Sequence, residues 1–234
     1  MFTPTALQTI DPATLASTLF DGPERSVPKG ARIFSPGDPS HSLFLLQRGL
    51  VKLSTLTPKG DEITLRVYWP ADIFGEGCLS RPVQRFWATA LERSEVIEAP
   101  AGRVLESLGQ SPELALELLA RLTERLDSAY DELQIISSRI AVIRVAARLL
   151  AFPGVDLPDG RWVQLRNRFT HEELARIVGI RRETLTRALA RLKELRLVEC
   201  SAGRPIRMHR AGLEALMNAT QTPPQHVIRK PSCT

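Results

Sequence analysis

The stretch "IVGIRRETLTRALARL", Ile177 to Leu192, gathers Arg181, Arg182, Glu183, Thr186 and Arg187 on a run whose leucines recur at helical spacing. These side chains can read base edges: an arginine donates a fork to guanine O6 and N7, and a glutamate accepts from cytosine N4. A solvated helix face held by an i,i+4 pair such as Glu183 to Arg187 would use the same residues. The surrounding frame separates the two readings. Thr170 caps the preceding helix, and Glu173 three residues on completes a capping box. That helix buries Leu174, Ile177 and Val178, Gly179 makes the turn, and a second helix from about Arg181 buries Leu185, Ala188, Leu189 and Leu192. The segment "LVECSAGRPIRMH" then gives two short strands about Ser201 to Arg204, a β wing. Cap, glycine turn and wing in register predict a winged helix-turn-helix that binds duplex DNA.

Charge along the chain agrees. Residues 1 to 160 hold 16 Lys and Arg against 20 Asp and Glu, whereas residues 161 to 217 hold 13 against 6. A mildly acidic first part followed by a small basic part is expected when only the second meets a polyanion.

The elements ahead of this module are of another kind. From Val27 onward, strand-length apolar runs are separated by turns at Pro36-Gly37-Asp38, Arg48-Gly49, Pro58 to Asp61 and Pro70-Ala71-Asp72. That spacing predicts a β jelly roll or similar barrel, with no helix-length amphipathic run between Ile33 and Ala99. Its turn "FGEGCL" carries Gly75 and Glu76, where backbone N–H groups can hold a phosphate and the carboxylate can accept from a sugar hydroxyl. A tight turn with a surface glutamate is the alternative.

After Ser111 the pattern becomes helical for roughly forty residues, opened by a capping serine and a first-turn proline. Leu119, Leu122, Leu126, Ala129, Leu133, Ile136 and Ile140 alternate spacings of three and four, the seam of a helix packed lengthwise on its twin. "PGVDLPDGR" reads as a hinge or exposed loop. The expected class is therefore α+β: a β-roll sensor domain over 1–110, a dimerisation helix and hinge over 111–152, a winged helix-turn-helix over 153–217, and a disordered polar tail over 218–234.

Other classes find little support. No run reaches the roughly 18 apolar residues of a membrane span, and the N-terminus lacks a signal-peptide pattern, so a cytoplasmic place is expected. Cys78, Cys200 and Cys233 are too scattered for a disulfide framework or zinc site, and Cys78 reads as a small core thiol. His41, His171, His209 and His226 have no ligand-spaced partners, and no G-x-S-x-G or P-loop appears, so no metal and no enzyme is expected. The rival reading is a ligand-sensing module or enzyme regulator that does not act through DNA.

In order of parts, the chain resembles the cyclic AMP receptor protein and fumarate-nitrate reductase regulator (Crp-Fnr) family of bacterial transcription factors. "THEELARIVGIRRETLTRAL", "PGDPSHSLFLLQRGLVKL", "DIFGEGCL" and "RVAARLL" carry the resemblance, which spans about residues 20 to 212. It implies a homodimeric activator in which Arg182, Glu183 and Arg187 read a TGTGA-like half-site, with Arg168, Thr170, His171, Arg181 and Thr186 near phosphates or flanks. It also implies a palindromic operator and an RNA polymerase contact at the Pro153 to Gly160 loop. Gly75 and Glu76 stand where the family binds the ribose and phosphate of cyclic AMP. Gln84 holds the position that usually supplies a phosphate-binding arginine, with Arg85 beside it and able to reach the pocket only if the local register shifts. Ala129 and Tyr130 replace the hydroxyl pair that meets adenine. "RFWATA" is similar to the nitrogen-control branch, which binds 2-oxoglutarate, and some members need no ligand. The effector candidates are therefore Gly75, Glu76, Gln84, Arg85 and Tyr130, with cyclic AMP, 2-oxoglutarate or nothing bound.

Overall fold

The structure, a computed structural model, describes residues 18 to 221 apart from Arg139 and Ala202, and divides between Asp131 and Glu132 into two compact units. Among the described residues the first unit holds eight strands: β1 (Glu24–Val27), β2 (Arg32–Phe34), β3 (Ser42–Arg48), β4 (Val51–Leu56), β5 (Glu62–Tyr68), β6 (Ile73–Phe74), β7 (Trp87–Ala90) and β8 (Ser94–Pro100). They form two antiparallel sheets in the orders β1-β8-β3-β6 and β2-β7-β4-β5. Two helices follow, α1 (Ala101–Gln110) and α2 (Pro112–Ser137), the second running into the next unit.

The apolar run "SLFLL" in β3 has no polar alternation because both its faces are covered. Phe44 and Leu46 point between the sheets, with Phe34, Val51, Tyr68, Phe74 and Ala88 from their partners. Leu43 and Leu45 point the other way, onto Val104 of α1 and Leu114 and Leu118 of α2. Phe74 stacks on both Phe44 and Tyr68, with ring centroids 5.2 and 5.1 Å away. The expected β roll is present, and between Ile33 and Ala99 the only helical element among the described residues is a 3-10 turn at Glu76–Leu79. Helix α1 was not singled out in the sequence.

The turn between β3 and β4 depends on Gly49, at φ +91°, where a Cβ would sit 2.4 Å from the Ser94 hydroxyl and 2.6 Å from the Arg93 carbonyl. Ser94 Oγ also accepts from the Leu50 N–H, so the clash has nowhere to relax. Gly49→Ala should therefore destabilise the protein by about 2 kcal/mol or more. Urea unfolding checks this, and an unchanged midpoint would contradict the geometry.

The predicted forty-residue helix is broken. The Ser138 N–H donates to the Ile135 carbonyl at 3.1 Å, Ile140 is extended, and a new helix α3 (Ala141–Leu150) starts there. Ile140 thus lies outside both helices. Helix α2 also carries two stripes where the sequence suggested one: Leu114, Leu118 and Leu122 pack on the core of the first unit, whereas Leu119, Leu126, Leu133 and Ile136 are exposed.

The second unit contains α3, β9 (Gly154–Asp156), β10 (Trp162–Leu165), α4 (His171–Val178), α5 (Arg182–Glu194), β11 (Val198–Glu199), β12 (Arg207–His209) and α6 (Arg210–Gln221). Its sheet runs β11-β12-β10-β9. Helix α3 buries Ile143, Val145, Ala146, Ala147 and Leu149 and packs on α5 and α6, so it is the floor of this unit. The stretch read as a loop after Phe152 is instead a hairpin, Gly154 to Leu165, whose strands of three and four residues are too short to show alternation. Helix α6 continues past Met217 to Gln221; the rest of the tail, with Cys233, and the chain before residue 18 lie outside the described residues.

Candidate functional site

Helix α4 begins where the sequence placed it. Thr170 Oγ1 accepts from the Glu173 N–H at 3.1 Å, and the Glu173 carboxylate accepts from the Thr170 N–H at 2.8 Å, closing the capping box. Gly179, at φ 70° in the left-handed region that favours glycine, ends the helix and turns the chain. Helix α5 then buries Leu185, Ala188, Leu189 and Leu192 against the unit's core. Burying each leucine contributes roughly 1.5–3 kcal/mol, which fixes the rotation of the helix about its axis.

That rotation leaves Arg181, Arg182, Glu183, Thr186 and Arg187 exposed at the N-terminal end. Arg187 Nε donates to the Glu183 backbone carbonyl at 3.4 Å, so its contact goes to the main chain. The Thr186 hydroxyl donates to the Arg182 carbonyl at 3.0 Å and lies 3.2 Å from His171 Nδ1. This contact ties the start of α4 to the first turns of α5. Arg168, Thr170 and His171 are exposed beside that end. The wing forms as expected, Val198 pairing with Met208 and Glu199 with Arg207 across an exposed turn containing Arg204.

The first unit holds a cavity of about 220 Å³ whose wall includes Tyr68, Gly75, Glu76, Arg81, Gln84 and Arg85. Gln84 and Arg85 both reach it because they lie ahead of β7 rather than within it. Gln84 is pinned by its backbone, its carbonyl accepting from the Gly37 N–H and its N–H donating to the Asp38 carbonyl. The register shift lies nearby, between Arg32 and Phe34 in the β2–β7 ladder. Gly75, at φ +85°, has no room for a Cβ, which would meet Phe44 at 2.9 Å and the Ser42 carbonyl at 3.0 Å. Tyr130 does not line this cavity and is 58% exposed on α2.

Arg125 was missed in the sequence. Its guanidinium pairs with Glu76 at 2.6 Å, donates to the Ile73 carbonyl and lies over the Tyr68 ring 5.5 Å from the centroid. The signal was available: Arg125 continues the inner stripe of Leu114, Leu118 and Leu122, a cation where a leucine would otherwise pack. Arg66 lies over the same ring at 5.8 Å. Burial first, then the charge of Glu76, pushes the Tyr68 hydroxyl well above its ordinary value, so it stays protonated. The same two causes push the Cys78 thiol up to about 11, and Cys78 packs on the core as a protonated thiol. Among the described residues no cluster of His, Cys, Asp and Glu could hold a metal ion, and no helix is long and apolar enough to cross a membrane.

Comparison with known proteins accords with both halves. Residues 24–111 match the cyclic nucleotide-binding domain, and residues 143–216 match the Crp-like helix-turn-helix domain. The chain is 34% identical to the cyclic AMP receptor protein of Thermus thermophilus over 180 residues, 76% of this chain and 81% of that one. It is 30% identical to the global nitrogen regulator of Synechocystis over 186 residues, 77% of this chain and 82% of that one. Among solved structures, FixK2 from Bradyrhizobium japonicum superposes with a TM-score of 0.72 at 23% identity, covering 83% of this chain and 96% of that one, a likeness of fold. A CRP/FNR-family transcriptional regulator from Thermus thermophilus does so with 0.67 at 27% identity, covering 84% and 98%. Together with the helix-turn-helix, the wing and the β roll described above, these relatives show that the chain belongs to the Crp-Fnr family of transcription regulators.

Proposed function

We propose that the protein acts in the cytoplasm as a non-enzymatic homodimer that reads a palindromic, TGTGA-like operator through Arg182, Glu183 and Arg187 of α5 and activates transcription. The observation that carries this reading is the exposure of all three on the first two turns of a helix whose opposite face is locked by Leu185, Ala188, Leu189 and Leu192. Arg168, Thr170, His171, Arg181 and Thr186 lie around them, suited to phosphates and flanking positions. The division of labour follows the sequence: sensing over 1–110, dimerisation and hinge over 111–152, reading over 153–217. Leu119, Leu126, Leu133 and Ile136, exposed along α2, supply the seam with Ala129, while Leu122 is turned onto the core of the first unit and Ile140 lies beyond the end of the helix. The segment from Pro153 to Gly160, strand β9 and the turn after it, with Val155 exposed, is the polymerase contact.

Two symmetric reading helices demand half-site centres about one helical turn, roughly 34 Å, apart. Fluorescence anisotropy with such a palindrome should show affinity well above that for a scrambled duplex, and a log–log salt slope of about −0.9 per neutralised phosphate. Equal affinity for both duplexes would overturn the reading.

The cavity at Gly75, Glu76, Arg81, Gln84 and Arg85 favours an anionic ligand, with Arg81 and Arg85 supplying charge and Glu76 an acceptor for a hydroxyl. Relatives named as cyclic AMP-activated make cyclic AMP the first candidate. The resemblance of "RFWATA" to the nitrogen-control branch makes 2-oxoglutarate the second, and a ligand-free regulator is the remaining outcome. Titrating each into the anisotropy assay decides among them: the effector is the compound that raises operator affinity.

A further inference from the structure

Arg144 lies on α3, yet its guanidinium is engaged by another element. Nη2 donates to the Val178 carbonyl at 2.7 Å and to the Gly179 carbonyl at 3.1 Å. These belong to the last residue of α4 and to the glycine that turns the chain into α5. Carbonyls at a helix C-terminus lack intrahelical partners and carry the negative end of the helix dipole. The Ala175 carbonyl is taken by the N–H groups of Gly179 and Ile180, which leaves the next ones to a partner from outside. The approach is close: a Cβ on Gly179 would come within 3.1 Å of the same Nη2.

Arg144 Nε is buried without a hydrogen-bond partner. Desolvation, with the like charge of Arg148, also pulls the guanidinium below its ordinary value. A side chain chosen for stability alone would not leave a buried donor unmatched, since that is costly. What Arg144 gains is a fixed distance between α3 and the turn.

We propose that Arg144 is a positioning residue for DNA reading: it pins the α4–α5 turn to α3 and so sets the pose in which Arg182, Glu183 and Arg187 meet base edges. The pinned carbonyl of Gly179 is three residues from Arg182, so a tilt at the turn displaces the reading end of α5 directly. Bidentate base contacts fail under small displacements, whereas contacts to phosphates through long cationic side chains adapt. Loss of the pin should therefore cost specific binding more than non-specific binding. Helix α3 is itself held by Arg148, which pairs with Glu132 of α2 at 2.9 Å, so the floor against which the turn is pinned is tied to the end of the long helix.

This inference rests on the DNA-reading function proposed above, and the test separates the two. Full-length Arg144→Gln and Arg144→Lys would be measured for affinity to the TGTGA palindrome and to a scrambled duplex at one salt concentration. Thermal unfolding and amide exchange would accompany them. For Arg144→Gln the operator affinity should fall about tenfold or more, while the scrambled affinity changes by less than about twofold. Arg144→Lys, a point charge reaching one carbonyl, should recover part of the loss. The amides of Ile180 to Arg182 should exchange about tenfold faster in Arg144→Gln than in wild type, with those of Leu174 to Ile177 unchanged. A wild-type protein without operator preference overturns the function and this inference together. A discriminating wild type with an equally discriminating Arg144→Gln overturns this inference alone, as do parallel losses on both duplexes that follow the melting temperature, or unchanged exchange at the turn.

Discussion

Arg182→Ala should abolish operator recognition while leaving a folded dimer. A good bidentate contact contributes about 1–3 kcal/mol of discrimination, and a symmetric dimer makes each contact twice, so the loss is about 2–6 kcal/mol, or roughly thirtyfold to twenty-thousandfold. Arg182 is exposed at the first position of α5 and the core contacts of that helix begin at Leu185, so the substitution removes no packing. Affinity for a scrambled duplex should stay close to wild type, because phosphate contacts dominate there. Anisotropy titrations on the two duplexes, beside sedimentation of the free protein, make the comparison. An unchanged operator affinity would remove Arg182 from the reading set.

The second large effect is on assembly. Leu126 and Leu133 are 50% and 63% exposed, seven residues apart on α2, and together with Leu119 at 59% they leave an apolar line open to a partner. Placing aspartate at both positions puts four carboxylates into the seam of a dimer and removes four leucines, each contributing roughly 1.5–3 kcal/mol when buried. The double variant Leu126→Asp, Leu133→Asp should sediment at the 26.0 kDa of one chain, where wild type should sediment at twice that. Operator affinity should drop to the scrambled-duplex level, since a single reading helix forfeits the second half-site. Neither leucine belongs to the core of the first unit, so melting of the β roll should change little. A double variant that still sediments as a dimer would move the interface elsewhere.

How much of this was legible depended on how local each cause is. The capping box at Thr170 and Glu173, the left-handed Gly179 and the buried Leu185, Ala188, Leu189 and Leu192 all act within one or two helical turns, and the sequence reading placed them correctly. The two-sheet roll was legible from the spacing of its turns. The hairpin from Gly154 to Leu165 was not, because Pro153, Gly154 and "LPDG" look like loop chemistry whether or not short strands flank them. The merged stripe on α2 has a similar origin: Leu122 fits the heptad pattern of Leu119 and Leu126 and the inner face of Leu114 and Leu118 equally well, and only the docked β roll separates them. Arg125 showed only as a cation out of place in the inner stripe of α2, and Arg144 not at all, because their partners are remote. Each owes its role to a partner far along the chain, Glu76 for one and Val178 with Gly179 for the other.

The pairing of Glu76 with Arg125 has a consequence for ligand affinity. One of the two oxygens that a ligand hydroxyl could use, Glu76 Oε1, is already occupied by a tethered cation at 2.6 Å, a competitor that cannot diffuse away. A tethered group of this kind acts at an effective concentration of the order of millimolar or above. A compound that takes the Glu76 oxygen paired with Arg125 must displace that cation, and its apparent dissociation constant is then the intrinsic one divided by the fraction of molecules in which Arg125 has let go. Substituting Arg125 would thus loosen α2 and sharpen the pocket at once, so that sensitivity to an effector and control by it are coupled through a single side chain.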